Sequence, residues 1–270
     1  MKKVLFLGFS LLIFHNLYAP PNCNFYNSDK NCYESCQLAL QAIRYYQGSW
    51  QSQEYFDKSI DLCDFAYSYM EKGVPYLKRG DFIKWKALID KAVELDPNEY
   101  LGYRGWCRLQ FLRDYDGAIS DIEQLLELNQ YDIGYNQNGD YHLEIALALC
   151  YKEKGEKEKA EQLILKKLHE NNYHLGFYDY YHLGIIQFEL GKYEEAIESF
   201  QQQIEVNDYL AETYYFLAMT YKAISDIENY QVNLDKAISY YEEGKYRTDT
   251  YCRPVDKVYF DEIKNEKTAY

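Results

Sequence analysis

The stretch Phe177-Tyr-Asp-Tyr-Tyr-His-Leu-Gly-Ile-Ile-Gln-Phe-Glu-Leu-Gly-Lys-Tyr-Glu-Glu-Ala-Ile-Glu-Ser-Phe200 decides the fold. Tyr180, Leu183, Gly184 and Phe188 keep helical spacing before Gly191, and Tyr193, Ala196, Ile197, Phe200 and Ile204 keep it after. This predicts a helix, a tight turn and a second helix, neither able to bury its apolar face alone. From Ala211 the layout returns, with Tyr214, Leu217, Ala218, Tyr221, Tyr230, Leu234 and Ala237. A two-helix unit recurring every 34 residues or so predicts an all-α solenoid.

Working back toward the start, the same layout places units near 33–65, 66–98, 99–132 and 141–174, ahead of those at 177–210 and 211–244. Asp96-Pro97-Asn98 closes the second unit, because proline stops a helix and shapes the turn. Pro75 should bend a helix from within. Spacing breaks at Tyr131 to Gly139, an insertion, and Asp140 is the expected N-cap of the next helix. After Gly244 comes a capping segment, 245–270. There Val255, Val258, Tyr259 and Ile263 are expected on one side of a short helix, with Pro254 in its first turn and Asp256 and Lys257 on its charged outer face.

Residues 1–19 have the form of an export signal: Lys2-Lys3, an apolar run from Val4 to Phe14, and Ala19 before the cut. That run is shorter than the roughly 20 residues a membrane span needs. Pro20 is awkward directly after a cleavage point, so the position of the cut stays open. A lead-in, 20–32, follows. Cys23 offers a lipid-anchor alternative, although Pro20-Pro21-Asn22 lacks the small residue such signals carry. The expected location is therefore periplasmic or secreted. The net charge of −14 repels phosphate backbones, so nucleic acid is excluded as a partner. No later segment is apolar enough to cross a membrane.

Cys32 and Cys36 open the first predicted helix and Cys63 ends the second. Those ends meet in an antiparallel hairpin, so Cys63 should pair with Cys32 or Cys36, and Cys23 with the one left over. The same four cysteines could hold zinc, but export favours disulfides, and no metal site is expected. There is no metalloprotease helix motif, phosphate-cradling glycine loop or nucleophile elbow, and the histidines are scattered. The expectation is no enzyme and no cofactor.

Tyr180, Leu183, Gly184, Gly191, Tyr193, Ala196 and Phe200, and earlier Tyr69, Gly73, Tyr76, Gly80, Ala92 and Pro97, resemble the tetratricopeptide repeat family. The resemblance runs over 33–244 and implies a right-handed α-solenoid of about six antiparallel helix-turn-helix repeats with a C-terminal capping helix. The family needs small residues at its eighth and twentieth positions, where the helices cross. Here the pairs are Gly73 with Trp85, Trp106 with Ala118, Ala148 with Ala160, Gly184 with Ala196, and Ala218 with Tyr230. Whenever one member is large the other is small, as close packing requires. Only the first hairpin, with Gln41 and Gln53, departs from this.

In this family the first helices line a concave face. The resemblance therefore implies a groove built by Tyr67, Met70, Tyr100, Tyr103, Arg104, His142, Tyr178, Tyr181, Phe188, Tyr215 and Met219. The Lys and Asn clamp with which some members hold acidic chaperone tails is missing: the matching positions read Met70 and Val74, Tyr103 and Cys107, Ile145 and Leu149, Tyr181 and Ile185. The implied function is an exported interaction scaffold gripping a protein or peptide. The alternative is a tyrosine groove that stacks small molecules or glycans.

Overall fold

The computed structural model describes residues 20–129 and 131–268. The expected export signal, 1–19, lies outside them. Six helix pairs follow one another: α1 (Lys30–Ala42) with α2 (Trp50–Leu62), α3 (Ala66–Lys78) with α4 (Phe82–Leu95), α5 (Pro97–Cys107) with α6 (Tyr115–Leu128), α7 (Leu143–Glu153) with α8 (Lys157–Leu168), α9 (Asp179–Glu189) with α10 (Tyr193–Val206), and α11 (Ala211–Ala223) with α12 (Ile227–Glu242). A short α13 (Phe260–Thr268) ends the described chain. Each first helix packs on its own second helix, and each second helix packs on the next pair. That nearest-neighbour pattern is what makes a solenoid quasi-one-dimensional.

The turns are set locally. Gly80, Gly155 and Gly191 follow first helices with φ between +74° and +85°. Glycine enters that left-handed region without penalty. Arg113 and Ser225 hold the same place in the third and sixth units, at φ 56° and 64°. Aspartate side chains then cap the second helices: Asp81 on α4, Asp114 on α6 and Asp226 on α12.

The packing rule is visible in the core. Gly73 lies against Trp85, whose Cδ1 is 3.5 Å from where a Cβ would sit. Gly184 lies closer still to a ring, that of Phe200, four residues beyond Ala196. The first hairpin lacks the small-residue crossing and uses other means. Ser35, Ser59 and Ser68 share a buried hydroxyl chain. Two disulfides, Cys32 to Cys63 and Cys23 to Cys36, tie both helix ends and the lead-in together. The Cys23 sulfur is thereby engaged.

Three local expectations need correction. α1 starts at Lys30, where Asp29 accepts from the Asn31 and Cys32 amides. His142, not Asp140, caps α7 by accepting from the Glu144 amide. The largest difference is at the end: α13 begins only at Phe260, and residues 245–259 are irregular. Asp256 has φ 59°, which an α-helix cannot contain, and Val255 and Val258 are buried in a loop rather than on a helix face.

The two glycines give opposite predictions. A Cβ at Gly184 would fall 2.6 Å from Phe200, so Gly184→Ala should cost about 1–3 kcal/mol. At Gly73 the same atom meets only ordinary contacts, so Gly73→Ala should be neutral or stabilising by up to about 1 kcal/mol. Thermal unfolding of both variants checks this.

Candidate binding groove

The residues expected to line the groove do not form one open trough. Tyr67, Met70, Tyr100, Tyr103, His142 and Tyr181 are all buried. Tyr178, Phe188, Tyr215 and Met219 keep partial exposure. Arg104 is committed: its guanidinium donates to both oxygens of Asp121, at 3.0 and 2.6 Å, and to Asp90 at 2.8 Å. The rings close on their neighbours, Tyr67 beside Phe65, Tyr103 beside Trp106 and Tyr181 beside Phe216. What covers the groove from above is the chain itself.

Residues 245–259 leave the end of α12, run along the first helices, and return to α13. Lys78 of the second unit lies over the Tyr251 ring at 5.0 Å. Gln110 of the third donates to the Cys252 sulfur at 3.4 Å, and Arg113 donates to the Arg253 carbonyl. Lys152 on α7 pairs with Asp256. On α9, His182 meets Asp256 through Nδ1 at 2.7 Å, and the Tyr181 hydroxyl donates to the Asp256 carbonyl. Arg247 stacks over Tyr178 at 4.2 Å. Glu212 on α11 accepts from the Arg247 amide at 3.0 Å and from Lys257 Nζ at 2.6 Å, which ties both ends of the loop to one carboxylate.

The electrostatics follow from burial. Asp256 is held well below the usual carboxylate range: burial opposes the charge, but Lys152 and His182 outweigh it. Burial likewise works against the Lys152 ammonium, and Asp256 with Glu153 holds it above the ordinary lysine value. His182 is lowered to about 4, mainly by burial, with Arg247 and Lys152 adding to the effect. Its tautomer follows from its partners. Arg247 Nη1 is 3.4 Å from Nε2 and can only donate, so the ring proton sits on Nδ1 and points at Asp256.

A second cluster lies at the insertion. His142 Nε2 is 2.6 Å from Asp132, and Glu144 approaches the same ring. Asp132, His142 and Glu144 could converge on a cation. The Lys167 ammonium already fills that role, 3.1 Å from Asp132, 3.0 Å from Glu144 and 2.9 Å from Glu170. Burial, then Lys167, lowers the His142 pKa. This cluster is therefore a clasp that pins the insertion to α7 and α8.

The groove positions expected from the sequence were mostly aromatic, with Arg104 the one permanent charge, and they left out Lys152 and Glu212. Gln110, Lys152 and Phe188 occupy the same place in successive units, and Glu212 matches Tyr178. A charge at a place where sister units carry a ring was the available signal.

The family model for the tetratricopeptide repeat matches residues 66–99 and 180–209. Those segments coincide with α3–α4 and α9–α10, within a stack of six such pairs. These two segments are tetratricopeptide repeats. The chain as a whole is similar in fold to the type IV pilus biogenesis factor PilW, at 13% identity and TM-score 0.63, covering 77% of this chain and 94% of that one. It is also similar to MamA, at 20% and 0.53, covering 68% and 96%. A third is YrrB, described as a TPR protein with an unusual peptide-binding site, at 21% and 0.52, covering 71% and 94%. At such identities the likeness concerns the fold. No curated protein matches the sequence.

The groove charges predict a pH dependence. Folded His182 stays neutral to about 4, whereas an unfolded imidazole protonates near 6.5. The unfolded state binds more protons in that window, so stability falls as pH drops through it, by about 3 kcal/mol at most. Asp256 acts lower in the same direction: its contribution is full above the ordinary carboxylate value and is lost as pH falls beneath it. Thermal midpoints from pH 7 to 4.5 should decline less steeply in His182→Asn than in the parent. His142 contributes equally to both chains, so parallel declines would contradict the assignment.

Proposed function

We propose that this tetratricopeptide repeat chain is an exported, non-enzymatic scaffold that holds a protein or peptide partner in extended form along its concave face. The observation that carries this reading is the loop itself. Units two to six already hold an irregular segment, gripping it through paired charges, an arginine stacked on tyrosine and hydrogen bonds to main-chain carbonyls. Helical-repeat grooves recognise extended segments by that same mixture of contacts. YrrB, a relative by fold, is described as having a peptide-binding site.

A stacking surface for glycans needs open ring faces, and Tyr67, Tyr100, Tyr103 and Tyr181 have none. The protein-binding reading is the better supported. Catalysis finds little support either: His182 is fully buried with both ring nitrogens engaged. Export is supported by the Lys2-Lys3 and apolar start and by the paired disulfides at the N-terminal hairpin, which persist in oxidising compartments. Among the described residues no helix is long and apolar enough to cross a membrane.

Site-specific photo-crosslinking in cells tests the reading. A photoreactive residue at Phe188 or Met219, half-exposed on the first helices, should capture a discrete partner. The same residue at Val232, 61% exposed on the second helix of the last pair, should not. Capture from Val232 alone would move the partner to the convex side. The captured chain should also begin near Pro20.

A further inference from the structure

The loop lies where a partner would lie, and its contacts describe what that partner must bring. Between Gly244 and Phe260 the chain forms no helix. Its two ends meet at Glu212, as in a compact Ω-loop. Its buried residues are Arg247, Pro254, Val255, Lys257 and Val258, three small apolar groups and two cations, and Tyr251 stays 52% exposed. Buried ion pairs add little net stability, because desolvation offsets their attraction. The loop is therefore docked by charge matching, while the repeats beneath it are held by packed rings such as Trp85 and Phe200. A segment of that kind opens before the body it lies on.

The groove beneath cannot stand empty cheaply. Lys152 is 5% exposed and Glu212 0%. Once uncovered, Glu212 would need either water or a replacement cation, and Lys152 would keep only Glu153, 2.9 Å away, in place of two carboxylates. Asp256 and Lys257 supply those charges from adjacent positions.

We propose that residues 245–258 are an intramolecular ligand of the groove, and that the partner displacing them presents an extended stretch in which a carboxylate residue is followed directly by a basic one. The carboxylate takes the place of Asp256 against Lys152, and the basic group takes the place of Lys257 against Glu212. This rests on reading the groove as the binding surface. It adds that the free protein is self-blocked and that selection is by the order of two charges.

The test uses the full chain and a fluorescent synthetic peptide, Arg-Pro-Val-Asp-Lys-Val. A tethered segment competes at an effective concentration in the millimolar range, so the parent chain should bind the peptide weakly. Asp256→Asn with Lys257→Ala loosens the chain's own loop, and that variant should bind the peptide at least about 10-fold more tightly. On the same variant, a peptide with Asn and Ala in place of its Asp and Lys should lose at least about 10-fold. Equal affinity for parent and variant, or for charged and neutral peptides, overturns the proposal. If the variant fails to fold, hydrogen exchange on the parent decides. Amides of residues 246–258 should exchange through an opening that leaves α7 and α11 protected; exchange in step with those helices overturns it. A crosslinked partner at Phe188 together with a loop that never opens would sink this inference and leave the scaffold standing. Peptide binding to the loosened chain without any cellular partner would do the reverse.

Discussion

The carboxylate of Asp256 is the point on which the arrangement of the groove depends. It lies between an ammonium on α7 and an imidazole on α9, with little of its side chain open to water. A buried charge persists only with partners, and here the partners come from two different repeats. Satisfying one group therefore fixes the loop against the fourth and fifth units at once. Glu212 does the complementary work on the sixth, where it gathers Lys257 and the Arg247 amide. The concave surface of the solenoid is in consequence a closed seam with charges inside it.

The fold was legible because all the repeats but the first state the same kind of local facts. Gly191 and Gly80 stand where a left-handed turn is needed, and Gly73 is small because Trp85 is large. Such signals fall within one unit, and five units repeat them. An antiparallel hairpin brings its open ends together, which narrowed the partner of Cys63 to Cys32 or Cys36; the choice of Cys32 was not legible. Nor was the loop. Val255, Val258 and Ile263 keep helical spacing, and Asp256 and Lys257 pass for solvated charge until their partners, far back along the chain, are known. Pairing over such a distance leaves no periodicity behind. The same holds for His142, expected in the groove but buried at the N-cap of α7 with its ring turned to Asp132 of the insertion.

Each end of the stack carries a different reinforcement. The N-terminal hairpin departs from the packing rule at Gln41 and Gln53, and there two disulfides and a serine hydroxyl chain stand in for ring-into-gap packing. At the C-terminal end, α13 covers α12: Tyr230 and Lys222 both reach Glu266, and Tyr241 stacks on Phe260 at 4.9 Å. Terminal repeats expose a face that interior ones bury, so capping of this kind is expected of a solenoid. The loop joins that cap to the groove, and the region that closes the stack also blocks its concave side.

A double-mutant cycle tests the central claim most directly. Lys152→Met, Asp256→Ala and the double variant would be compared by denaturant unfolding of the full chain. If the two side chains meet in the groove, the single losses should fail to add, with a coupling of about 1–3 kcal/mol, because either change alone strands the other charge. Losses that add to within about 0.5 kcal/mol would mean that the loop does not lie where it is described.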